Sequence, residues 1–176
     1  MRIPLATFCI LALGLSACSE TPATVDLSQL AELNQTEQLV VIGYGRLIDG
    51  LPLPESDSVT PEWLAAFDSP KAGTVPDIFN NYPPNRKLMA KRAAELDALR
   101  RLKAKIAELR VNSEQSLGEY LTEANPEAIA SQKLLTGAKT TGTLYRPTGI
   151  VEVRRELPMA QLISNLHDIL EVTNSH

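Results

Sequence analysis

A chain of 176 residues with 44% hydrophobic side chains has material for one compact domain and a tail, and its formal net charge is −4 from 17 basic and 21 acidic residues. That mild acidity leaves no whole-chain electrostatic footprint for nucleic acid or for anionic lipid head groups. Two cysteines and two histidines exclude a disulfide framework and leave no zinc-ligand spacing.

The N-terminus carries Arg2 and then an apolar run up to Leu15, too short for a permanent bilayer-spanning helix and suited to a cleavable signal, residues 1–17. Leu15-Ser16-Ala17-Cys18 follows directly and resembles a bacterial lipobox, in which the chain is cut between Ala17 and Cys18 and the cysteine is acylated with palmitate-type chains. The alternative is an ordinary signal cut that leaves Cys18 as a free thiol. Removing 17 residues from 176 leaves 159, in which 16 basic residues face 21 acidic ones, a net −5. With Cys9 gone and Cys18 acylated, the mature chain has no disulfide to rely on, so the fold must rest on packing. Ser19 is not the aspartate that retains many such lipoproteins in the inner membrane, so the resemblance implies the outer membrane, periplasmic side.

Residues 18–37 form the lipidated tether, with a small polar stretch at 19–25 and then Asp26, Gln29 and Leu27, Leu30 and Leu33 at near-helical spacing. Residues 38–172 read as a single domain. The spacing predicts a strand over 38–48, in which Gly43 and Gly45 mark a bulge or a close backbone approach. Gly43-Tyr44-Gly45 lacks the third glycine of a dinucleotide fingerprint.

Residues 51–85 form a proline-rich insertion holding seven of the 12 prolines. Within it Thr60-Pro61-Glu62 predicts a capped helix through Trp63, Leu64 and Phe67. Trp63, Phe67, Phe79 and Tyr82 have two readings: a lid over an open core edge, or a contact surface for a partner.

A long helix is predicted over 85–109, with Leu88, Leu96, Leu99, Leu102, Ile106 and Leu109 on its apolar face and Asp97, Arg101, Lys105 and Glu108 on a solvated one. Arg92, Glu95 and Lys103 intrude on the apolar face, either as snorkelling flanks or as a subunit contact. A short strand at 110–116 follows, then a helix capped by Asn125-Pro126 and stopped by Gly137. Two strands, 138–145 and 150–157, are joined through Arg146-Pro147-Thr148-Gly149 as a hairpin, with Arg155 an exception among the inward residues of the second. Pro158 opens a terminal helix, and residues 173–176 form a frayed tail.

No enzyme chemistry is indicated. His167 and His176 are isolated, Gly137–Gly142 has its lysine on the wrong side for a phosphate loop, and Asp97 with Arg101 has ordinary helix-surface spacing. A glycosidase-type carboxylate pair stays open at this level. No cofactor and no metal are expected.

The strand Leu39-Val40-Val41-Ile42-Gly43-Tyr44-Gly45, the helix from Leu88 to Leu102 with its Ala93-Ala94-Glu95-Leu96-Asp97-Ala98 run, Leu134-Leu135-Thr136-Gly137-Ala138-Lys139, and the strand at 150–157 together resemble the FlgP-like outer-membrane lipoproteins and the related small lipoproteins of Helicobacter type. The resemblance covers about half of the chain. It implies an α+β domain with one long helix packed across a small antiparallel sheet, here with the proline-rich insertion and a C-terminal helix added. It also implies a homo-oligomeric ring or disk beneath the outer membrane, associated with the flagellar motor and needed for motility. The residues themselves leave a second function in view: a monomeric periplasmic module that holds an envelope ligand or protein with its aromatic insertion.

Overall fold

A computed structural model of the chain describes residues 27–54, 59–69, 71–124 and 132–173. The signal, Cys18, the tether up to Asp26, the Asn125-Pro126 cap and the last three residues lie outside the described residues. The fold is α+β: a three-stranded antiparallel sheet with one long helix across it.

Strand β1 (Gln38–Arg46) stops two residues short of its predicted end. Strand β2 (Lys139–Tyr145) and strand β3 (Ile150–Pro158) form the hairpin. Strand order is β1-β3-β2, so the last strand in sequence sits in the middle. β1 pairs with β3 from Gln38 opposite Pro158 to Arg46 opposite Ile150, and β2 pairs with β3 through a register shift between Thr140 and Gly142. The hairpin turn closes as its residues predict: Gly149 N–H donates to Arg146 O at 2.9 Å, Arg146 N–H donates to Ile150 O at 2.8 Å, and Gly149 has φ +88°. A type I turn followed by a left-handed glycine matches the twist of the two strands.

Among the described residues five α-helices accompany the sheet. Helix α1 (Leu30–Leu33) continues a 3-10 turn at Leu27–Gln29. Helix α2 (Pro61–Phe67) begins where its cap predicts, with the Thr60 hydroxyl accepting from Trp63 N–H at 3.3 Å. Helix α3 (Pro84–Glu108) spans 25 residues, about 37 Å at 1.5 Å per residue. Helix α4 (Leu117–Ala124) and helix α5 (Met159–Thr173) complete the set. Among the described residues no helix is long and apolar enough to cross a membrane.

The odd-numbered residues of β1 face α3. A Cβ on Gly43 would fall 2.2 Å from both Ala94 O and Ala98 N, and one on Gly45 would fall 1.9 Å from Ala90 O. Backbone therefore rests on backbone. Of the two meanings open for these glycines, the structure takes the close approach, and the helix answers with Ala90, Ala94 and Ala98, all buried. Beyond this seam, Leu102 and Ile106 enter a larger core with Leu39, Val41, Leu117, Leu121, Leu157, Leu162 and Leu166.

This seam corrects the helical wheel. Leu88 and Leu96, placed on the apolar face, are 48% and 68% exposed, whereas Leu102, Ile106 and Leu109 are buried as expected. Leucines cannot fit where the sheet offers glycine, so the alanines turn inward and the upstream leucines turn out.

The solvated face is corrected as well. Asp97 accepts from Tyr44 N–H at 3.1 Å, and Lys105 Nζ donates to Val40 O at 3.0 Å. Both bonds go to outward-pointing backbone groups of β1, so α3 covers the free edge of that strand with side chains.

Four further points of the sequence reading need revision. Residues 110–116 form no strand; a single bridge joins Arg110 and Ser116, and Asn112 Oδ1 accepts from Glu114 N–H and Gln115 N–H in a tight turn. Helix α4 was not anticipated, although Ser116 and Glu119 make a reciprocal capping box: Ser116 N–H donates to Glu119 Oε2 at 2.8 Å and Glu119 N–H to Ser116 Oγ at 3.3 Å. The segment Gln132–Leu135, expected as α-helix, is a 3-10 turn ended by Gly137 at φ +84°. Finally Pro158 pairs with Gln38 as the last residue of β3, and α5 starts one residue later.

Candidate functional site

The insertion folds onto the sheet, and its aromatic rings are largely consumed there. Phe79 is fully buried against Leu47, Ala90, Val151 and Val153, with its ring edge-on to Tyr145 at 5.3 Å. Phe67 is buried with Ile42, Tyr44 and Leu144 on the opposite face of the sheet. Trp63 and Tyr82 are half-buried and pack on these same clusters. Phe67 and Phe79 are thus buried in the fold, as a lid requires, while Trp63 and Tyr82 keep part of their surface exposed.

Beside the lid lies a linked polar group. Glu152, buried on the central strand, accepts from Trp63 Nε1–H at 2.9 Å and from Arg146 at 2.8 Å. Tyr44 packs 5.8 Å from Trp63 between ring centroids, and the Arg101 guanidinium stacks 4.8 Å from the Tyr44 ring. Arg101 also donates to Asp97 at 2.7 Å and to Pro54 O at 3.3 Å. Burial first, then the nearby Glu152 charge, push the Tyr44 phenol up to about 12. The phenol is thus neutral across the physiological range, and the acids around it end on internal partners. The group ties α2, β1, β3 and α3 together; sequence reading noticed Asp97 and Arg101 only as a surface pair.

A second polar group joins the same face to β2. Arg154 donates to Thr141 Oγ1 at 2.9 Å and to Asp68 at 3.1 Å, and lies 3.0 Å from Glu156. Arg155, on the opposite side of β3, keeps a buried Nε without a partner among the described residues. His167 is exposed on α5. Among the described residues no group of three His, Cys, Asp or Glu side chains is placed to hold a metal ion.

The predicted subunit-contact residues occupy α3. Arg92 is exposed, Lys103 is half-buried, and Glu95 is half-buried with its carboxylate 3.9 Å from Lys91. Arg92 and Lys103 border the outward leucines, so the helix face turned from the sheet combines Leu88, Met89 and Leu96 with basic side chains. Among the described residues this mixed face holds three of the exposed large hydrophobic side chains. Cys18 and Ala17 lie outside the described residues.

The chain matches no family model, no curated protein and no solved structure.

Proposed function

We propose that the mature chain is a lipid-anchored protein of the outer membrane, facing the periplasm, with a structural and assembly role. The observation that carries this reading is Leu15-Ser16-Ala17-Cys18 placed directly behind a signal-type apolar run. Acylation at Cys18 holds the domain at a membrane; several acyl chains on one residue give stable anchoring where one chain alone is marginal. The domain itself supports the reading. Its buried polar side chains Glu152 and Asn165 bond to other elements, and its core is seamed backbone to backbone at Gly43 and Gly45.

The specific form of the proposal, from the family resemblance, is a subunit of a ring or disk at the flagellar motor. Deleting the gene and imaging the cell envelope by cryo-tomography tests it, with a Cys18→Ser strain alongside. Lost swimming and missing density beneath the outer membrane in both strains is the expected result. Normal motors and normal swimming in the deletion strain refute the motor role.

A further inference from the structure

Five large hydrophobic side chains are exposed among the described residues, and three of them, Leu88, Met89 and Leu96, belong to α3. Met89 and Leu96 are seven residues apart, two turns of one face, with Arg92 exposed between them and Arg100, 74% exposed, one turn beyond. The same helix holds eight basic residues and three acidic ones, a net +5. The whole chain is −4, so everything outside α3 sums to −9. The bland acidity of the chain hides one strongly basic, partly apolar helix.

Such a face fits an anionic interface: leucine and methionine enter among the acyl-chain tops while lysine and arginine reach the head groups. Two observations select a phospholipid surface over a second copy or another protein. A facing copy of the same surface would set Arg92, Arg100 and Lys103 against the same three cations. Leu27, the first described residue, is nine residues from Cys18, at most about 30 Å of extended chain, so an acylated Cys18 keeps the domain within a helix length of the bilayer. We infer that α3 lies along the membrane, with Leu88, Met89 and Leu96 at the interface and Arg92, Arg100 and Lys103 on anionic phospholipid head groups. The inference rests on the lipid-anchor reading above. It orients the molecule: the side of the sheet that Phe67 and Trp63 cover then faces away from the membrane.

The test uses the mature, acylated protein in vesicles of phosphatidylcholine with phosphatidylglycerol, and in vesicles of phosphatidylcholine alone. Met89→Cys supplies a single thiol for an environment-sensitive fluorophore, and Lys71→Cys, exposed in the insertion, supplies the control. The expected result is blue-shifted emission, quenched by spin-labelled lipid, for the Met89 position on the anionic vesicles. The signal falls several-fold in high salt or with Arg92→Glu and Arg100→Glu together, while the Lys71 position stays in water. A Met89 fluorophore as wet as the Lys71 one, on vesicles that retain the protein, overturns the placement and leaves the anchor standing. Shielding that follows protein density instead of anionic lipid also overturns it and points to a second copy. A mature chain whose mass shows no acyl group, and which separates from vesicles on flotation, refutes the anchor and this placement with it.

Discussion

Replacing Gly43 by alanine adds one methyl group in the middle of the sheet, and the structure says what it meets. Its Cβ would fall 2.2 Å from Ala94 O and Ala98 N, about 1.2 Å inside the 3.4 Å at which ordinary contact begins. Both are backbone atoms of a helix held at its other end by Leu102 and Ile106, so no rotamer change relieves the clash. The helix must lift from the sheet along the whole Ala90–Ala98 seam, opening space around side chains that are 0–2% exposed. Overpacking a core costs about 1–3 kcal/mol when side chains can adjust, and this case belongs at or above the upper end. For a domain of this size about 3 kcal/mol corresponds to roughly 6–12 °C in Tm. Gly142→Ala is the internal comparison: its Cβ would meet the Phe67 ring at 2.7 Å, a side chain that can swing, so the loss is smaller. Urea and thermal unfolding followed by circular dichroism measure both variants. A Gly43→Ala protein that melts within a degree or two of the parent refutes the seam.

Other outcomes follow from the same geometry. Leu102→Ala, at a fully buried position, costs about 2–5 kcal/mol, whereas Leu96→Ser leaves the melting temperature nearly unchanged because that side chain is already 68% exposed; equal losses would restore the original wheel. Glu152→Gln removes the charge that Arg146 and Trp63 Nε1–H share, at a cost of about 1–3 kcal/mol, and shifts the emission of Trp63, the only tryptophan of the chain. Asn34→Ala breaks three bonds, to Leu30 O, to Arg110 O and from Arg110 N–H, that hold α1 to the end of α3, and should speed hydrogen exchange at the Arg110 amide. The Tyr44 phenol binds its proton more tightly folded than unfolded. Its contribution is therefore complete below pH 10 and declines as pH rises from 10 towards about 12, and a Tyr44→Phe variant should lose that part of the alkaline slope.

Where a local signal and the tertiary solution agree, the elements were readable. The Thr60-Pro61 start of α2, the Arg146–Gly149 turn and the alternation of β3 are all set by residues within one turn of each other. The α3 face was misread for a physical reason. Leucine outranks alanine in any hydrophobicity count, yet the surface it must fit has Gly43 and Gly45, and only a stripe of small residues matches that. The two glycines and the three alanines at i, i+4, i+8 were both visible; their pairing across some fifty residues was not. Helix α4 has its announcement in Ser116 and Glu119, the first of which also ends the strand expected over 110–116. The Glu152 group draws on residues from Tyr44 to Glu152, and nothing in the spacing of Trp63, Arg101 and Arg146 marks them as neighbours. The basic character of α3 was available from composition by segment and disappeared in the whole-chain average.

The bonds from Asp97 and Lys105 to β1 also give the sheet a direction. A three-stranded sheet ordinarily has two margins at which a further strand can add, from a neighbour or from an unfolded chain. Here side chains of a resident helix already occupy backbone groups along one margin, and an incoming strand would have to displace a carboxylate and an ammonium group to pair there. Growth is left to the β2 side alone, where the register shift between Thr140 and Gly142 breaks the regular spacing that a new strand would need. The helix that completes the core also acts as a guard against sheet-to-sheet association at high local concentration.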